Sequence, residues 1–191
     1  NMPNLETLDL WCVTRVNVSN NPKLTSLRIA EGDGIESIDL SHNPELVHLS
    51  IMGDYTSEVR VKEKYGLKSI ILTNCPNLTS ITLNFHRLSG TLDLRHCTKL
   101  SGVDLRGNCL DKIMLPAMQG SNEPRLGRQF KKGSDSEYHA NRVVKLYYDG
   151  ALSNKTKLYN YLVSTGAKAG KENADIVFEI EAKKDNINEM Y

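Results

Sequence analysis

Asn21-Pro22-Lys23-Leu24-Thr25-Ser26-Leu27-Arg28-Ile29 is a turn followed by apolar residues at positions 0, +3 and +5, counted from Leu24. The phrase recurs. Upstream it reads Met2-Pro3-Asn4-Leu5-Glu6-Thr7-Leu8-Asp9-Leu10, and downstream Asn43-Pro44-Glu45-Leu46 leads into Leu49 and Ile51. Cys75-Pro76-Asn77-Leu78 leads into Ile81 and Leu83, and Cys97-Thr98-Lys99-Leu100 into Val103 and Leu105. Repetition of one unit at a period of about 20 residues predicts a solenoid, whose coils bury their apolar faces on one another.

Each unit has a second half. Apolar triplets precede the later leucine anchors: Val13, Val16, Val18; Ile35, Ile38, Leu40; Leu67, Ile70, Leu72. The fourth starts on Ser89 and continues with Leu92 and Leu94, and Leu110, Ile113, Leu115 close the series. The +3, +5 part of a triplet alternates in and out, as an extended chain does. A helix would need apolar residues at +3, +4 and +7, where Asp, Arg, Ser and Thr mostly stand. Both halves are therefore expected to be strands, joined by turns of the form Ser/Thr-x-Asn/Cys-Pro-x-Leu.

Leu100-x-x-Val103-x-Leu105-x-x-Asn108-x-Leu110 carries the LxxLxLxxNxL pattern in full, and residues 1–116 resemble the leucine-rich repeat family. The Asn-Pro-x-Leu turns and the second strand look most like bacterial cell-surface repeats of the internalin and Bacteroides type. The resemblance implies a right-handed, β-rich leucine-rich repeat solenoid with a parallel sheet. It also implies a secreted or surface-displayed module, active in adhesion or other protein binding. Departures are present: the asparagine position holds Val13, Gly32, Asp54 and His86 in the other coils. First-strand leucines are spaced 19, 22, 32 and 22 residues apart. The 32 reads as one coil plus a segment looped out around Gly53–Gly66; an extra half-coil, which would exchange the two faces, is the alternative.

The chain of 191 residues carries a formal net charge of +1, which provides no general attraction to nucleic acid or acidic membranes. No run approaches the ~18 apolar residues of a membrane-spanning helix. Asn1-Met2-Pro3 already lies inside a repeat turn without a polar cap or signal peptide before it, so the sequence reads as part of a longer chain. Cys75 and Cys97 take the turn position that Asn21 and Asn43 hold in earlier coils, and buried, reduced thiols are expected there. Cys12 and Cys109 belong to opposite ends. No spacing suits a metal, and His42 and His96 lie two coils apart. No catalytic motif appears, so no cofactor and no enzyme are expected.

Beyond Pro116 the periodicity stops. Residues 117–141 read as a polar loop or linker whose Arg125, Arg128, Lys131 and Lys132 form solvated surface. Residues 142–191 read as strand, helix, strand: one strand at Arg142–Tyr148, a helix from Ser153 or Asn154 to Gly166, and a second strand at Asp175–Glu181. Such a crossover joins parallel strands and would cap the last coil. A small independent domain is the other reading.

In each first strand the +2 and +4 residues should face outward, with +6 at the strand end. The candidate ligand-binding residues are Asp9, Trp11, Arg28, His48, Ser50, Met52, Asn84, Asp104 and Arg106. Trp11, Arg28, His48, Met52 and Arg106 are side chains of the kind that anchor interfaces. The expected function is recognition of a protein or glycan through this face, without membrane insertion. A structural spacer is the alternative. An enzyme gathering Tyr147, Asp149, His139 or Glu179 is the third reading.

Overall fold

A computed structural model describes residues 2–53, 66–116, 125, 143–148, 168–172 and 175–181. Its strands are β1 (Thr7–Trp11), β2 (Ser26–Ala30), β3 (Ser37–Asp39), β4 (His48–Ile51), β5 (Ser69–Ile71) and β6 (Ser80–Thr82). They continue as β7 (Ser89–Asp93), β8 (Gly102–Asp104), β9 (Cys109–Leu115), β10 (Val143–Tyr148), β11 (Lys168–Glu172) and β12 (Asp175–Glu181). Among the described residues the sole helical element is a 3-10 turn at Gly32–Gly34, and no helix is long and apolar enough to cross a membrane.

The chain winds as a parallel β-solenoid of about four turns. β1, β2, β4, β6 and β8 lie side by side in one parallel sheet, pairing Leu8 with Leu27, Leu27 with Leu49, Leu49 with Ile81 and Ile81 with Val103. The last four of these side chains are at most 4% exposed. Each such aliphatic burial contributes ~1.5–3 kcal/mol, so the stack is the main source of cohesion between coils. The leucine anchors Leu24, Leu46, Leu78 and Leu100 are fully buried beside it.

The 32-residue interval is a single coil. β4 pairs directly with β6, and β3 with β5 at Ser37–Ser69 and Ile38–Ile70, so the two faces are not exchanged. The additional residues fall between Ile51 and Ser69; of the Gly53–Gly66 segment, residues 54–65 lie outside the described residues.

The turn column holds the coils together with polar groups. Asn43 Nδ2 donates to the carbonyls of Val18 (3.0 Å) and Asn21 (2.9 Å) in the coil before it. One coil on, the Cys75 thiol donates to Leu40 (3.4 Å) and Asn43 (3.9 Å), the equivalent carbonyls. Cys75 and Cys97 are buried free thiols, and burial pushes them up to about 11 and about 12. Beside this column, the hydroxyls of Thr25, Thr79 and Ser101 donate to main-chain carbonyls of the preceding coil.

The second side of the solenoid departs from expectation twice. Val13, Val16 and Val18 have strand-like spacing, yet residues 12–18 form no strand. Cys12 adopts φ 50° and Thr14 is driven against Gly34, where a Cβ would lie 2.7 Å from Thr14 Cγ2. That close approach sets the segment out of ladder register. In the fourth coil Leu88, not Ser89, fills the core position at 3% exposure. Where β7 pairs with β9, a register shift between Gly90 and Thr91 passes over Asp111 of β9, so that Gly90 lies opposite Leu110 and Leu92 opposite Ile113.

β9 also pairs in parallel with β10, from Lys112–Lys145 to Leu115–Tyr148. The parallel crossover expected beyond β10 is replaced by antiparallel pairing. β12 runs antiparallel to β10 and is its direct neighbour, and β11, unforeseen in the sequence, pairs antiparallel with β12. Antiparallel neighbours need no helical crossover; the expected helix at 153–166 lies outside the described residues. Of the expected linker, Arg125 is described, and it forms a bridge with Asp104: its N–H donates to Val103 and its carbonyl accepts from Leu105.

Candidate functional site

The outward face of the five-stranded sheet carries its side chains in rows because the strands are in register. The +4 row runs Asp9, Arg28, Ser50, Thr82, Asp104, and the +2 row Thr7, Ser26, His48, Ser80, Gly102. Alternation alone places them there: Leu27, Leu49 and Ile81 between the rows are buried.

At one end, Arg28 Nη1 lies 3.2 Å from Asp9 Oδ2, a cross-strand pair with both side chains at least half exposed. Such a pair adds only ~0–1 kcal/mol, so both groups remain available to exchange partners. Trp11, beside them on β1, is 63% exposed. Its in-register neighbour Ala30 is buried at 6%, so the indole stands above a shallow floor. In the middle, exposed His48 shares a hydrogen bond through Nδ1 with Ser80 Oγ at 2.9 Å. Ser50 and Met52 are half-buried.

At the far end, Arg106 is folded back onto Asp104, with Nη2–Oδ2 at 2.8 Å and Nε–Oδ1 at 2.9 Å. Both side chains are largely shielded, at 16% and 13% exposure. Arg125 reaches the same carboxylate at 3.9 Å, and the Arg106 guanidinium lies 6.0 Å from the Phe85 ring centre. A shielded bidentate pair is a fixed feature, unlike the open pair at Asp9.

Asn84 lies inside and not on the outward face. The repeat position predicts it on the outward face, but it is buried at 6% exposure. β6 ends at Thr82, and Phe85 takes φ 61°, so strand alternation no longer holds at Asn84. Its Oδ1 is buried without a hydrogen-bond partner among the described residues.

The structure thus gathers Asp9, Trp11 and Arg28 in one patch, His48, Ser50 and Met52 in a second, and Asp104 with Arg106 in a third. Phe85 and Arg125 join the third, and sequence reasoning misses both. Phe85 follows the strand at a position the repeat does not define, and Arg125 sits where the apolar period has stopped. Among the described residues no group of three or more His, Cys, Asp or Glu is placed to hold a metal ion.

Compared with protein-family models, curated proteins and solved structures, the chain matches none.

Proposed function

We propose that the coils are leucine-rich repeats and that the protein is a non-enzymatic binding module, secreted or displayed at a cell surface. Its ligand, a protein or a glycan, docks on the outward face of the β1-β2-β4-β6-β8 sheet. The observation that carries this reading is the open patch of Trp11, Asp9 and Arg28: a large exposed ring beside a solvated ion pair on a rigid in-register sheet. Indole faces stack on apolar or sugar surfaces, and a loosely paired guanidinium and carboxylate supply directional hydrogen bonds. The small Ser26, Ser80 and Gly102 between the patches keep the sheet shallow, which suits a flat or polar partner over a deep apolar pocket. Localisation follows from the resemblance in the Asn-Pro-x-Leu turns.

In this reading residues 142–191 form the unit that closes the last coil, as solenoid ends require. The pairing of β10 with β9 supports that role.

The test is a glycan and host-protein array probed with the full chain and with a Trp11→Ala, Arg28→Ala variant. Spots that bind the native chain and lose the variant support the proposal. An array with no saturable spot contradicts it and favours a spacer.

A further inference from the structure

The first two coils part on the second side of the solenoid, away from the sheet just described. Thr14, Arg15, Val16, Asn17, Gly34, Ile35, Glu36 and Ser37 line a cleft of about 790 Å³ there. That size lies within the ~300–1,000 Å³ typical of ligand sites. Within the lining Thr14 approaches Gly34 closely, where a Cβ would lie 2.7 Å from Thr14 Cγ2. Just beyond the lining residues the Asn43 amide donates to the Val18 carbonyl at 3.0 Å.

One wall is an edge of β3 that no strand among the described residues pairs with. β3 bonds to β5 through the carbonyl of Glu36 and the N–H of Leu40. By strand alternation the N–H and C=O groups of Ser37 and Asp39 point the opposite way, toward the cleft. Among the described residues no backbone hydrogen bond joins them to residues 13–18. The edge therefore offers donors and acceptors at the two-residue repeat of a β-ladder. Sugars and nucleotides do not carry that repeat, whereas an extended peptide does.

The rest of the cleft narrows the chemistry. Ile35, buried at 1% exposure, and Val16, half-buried, provide an apolar floor. At the rim, Glu36 is held by Lys68 Nζ at 2.9 Å. Exposed Arg15 has no ionic partner among the described residues. We propose that the cleft receives an extended peptide bearing a carboxylate, which pairs as a strand on β3 and sets that carboxylate against Arg15. This face is separate from the one proposed above, so either reading can fail alone.

The experiment titrates the full chain against three fluorescent, end-blocked pentapeptides of alternating threonine and valine. The central residue is glutamate in the first and lysine in the second; the third is the glutamate peptide with N-methylated backbone. The glutamate peptide should bind saturably and at least about tenfold more tightly than either control, a difference expected of one lost charge pairing or ladder bond. Ser37→Pro removes an N–H that points into the cleft and takes no part in the β3–β5 ladder. It should abolish binding with thermal unfolding unchanged. Arg15→Glu, on an exposed side chain, should reverse the preference toward lysine. No saturable binding of the glutamate peptide up to about 1 mM overturns the proposal. So does equal binding of all three peptides, or binding indifferent to both substitutions.

Discussion

His86 and Asn108 stand one coil apart and fasten the coil before each of them through the same pair of bonds. Asn108 Nδ2 donates to the carbonyl of Leu83 at 2.6 Å, and its Oδ1 accepts the Leu88 N–H at 3.2 Å. His86 Nε2 donates to the Ile51 carbonyl at 3.0 Å, and Nδ1 accepts the Leu67 N–H at 3.3 Å. The neutral imidazole, with one donor and one acceptor, reproduces the amide. It also spans the two ends of the long interval between Ile51 and Leu67.

That substitution makes stability depend on pH. Burial holds the His86 ring far below the usual histidine range, down to about 4, against the opposing bond to Ile51. Above pH ~6.5 the ring is neutral folded or unfolded, and its bonds are intact. As pH falls through ~6.5 the unfolded chain takes up a proton that the folded one refuses, so stability declines until about pH 4. The loss amounts to about 3 kcal/mol. His86→Asn should remove this decline while leaving stability at pH 7 within ~1 kcal/mol. Urea unfolding of both proteins at several pH values between 7 and 4 measures it, and parallel curves would count against the bond pattern.

The αL residues at the strand exits predict an opposite pair of effects. Cys12, Glu31, Phe85 and Gly107 occupy one repeat position, seven residues after the leucine anchor, with φ 50°, 51°, 61° and 71°. A non-glycine residue there costs ~1–2 kcal/mol, less the entropy that glycine forfeits. Glu31→Gly should stabilise by about 0.5–1 kcal/mol. Gly107→Ala should destabilise by more than ~1 kcal/mol, because its Cβ would meet Phe85 Cδ1 at 2.6 Å. Melting temperatures moving together in one direction would refute the assignment.

Thiol reactivity checks the turn column. Cys12 is exposed, whereas Cys75, Cys97 and Cys109 are buried. Since thiolate is the reactive form and burial raises Cys75 and Cys97, a thiol reagent at pH 8 should modify Cys12 fast and the others only on unfolding. Cys75→Asn should fold normally, its amide donating to Leu40 and Asn43 as Asn43 does one coil earlier. Rapid native labelling of Cys75, read by peptide mass, is the contrary outcome.

The leucine stack gives the largest expected loss. Ile81 lies between Leu49 and Val103 at 1% exposure. Ile81→Ala should cost ~2–5 kcal/mol, and Ile81→Asp should unfold the coils on either side. Denaturant titration separates the two variants from wild type.

The first sheet was legible because one interval fixes everything about it: 0, +3, +5 from a leucine anchor selects Leu27, Leu49, Ile81 and Val103 for the core. Alternation then assigns Asp9, Arg28 and His48 to the outside. The pattern stopped informing where the backbone left the extended region. Asn84 lies past the end of its strand, so alternation has no hold on it. Leu88 displaced Ser89 because a register shift is a property of two paired strands and is not written in either alone. Val13, Val16 and Val18 have the right spacing, but the close approach of Thr14 to Gly34, distant in sequence, decides how the segment runs. The antiparallel order of β10 and β12 depends on the connection between them, which apolar alternation does not encode.

The most direct test of the recognition surface is the affinity of an array-selected ligand for three proteins: native, Arg28→Glu and Lys68→Glu. Both substitutions reverse an exposed, ion-paired charge, Arg28 on the outward sheet face and Lys68 on the opposite side. Docking on the outward sheet face predicts at least about tenfold weaker binding for Arg28→Glu and unchanged binding for Lys68→Glu. Equal affinities for all three, or loss confined to Lys68→Glu, would contradict it.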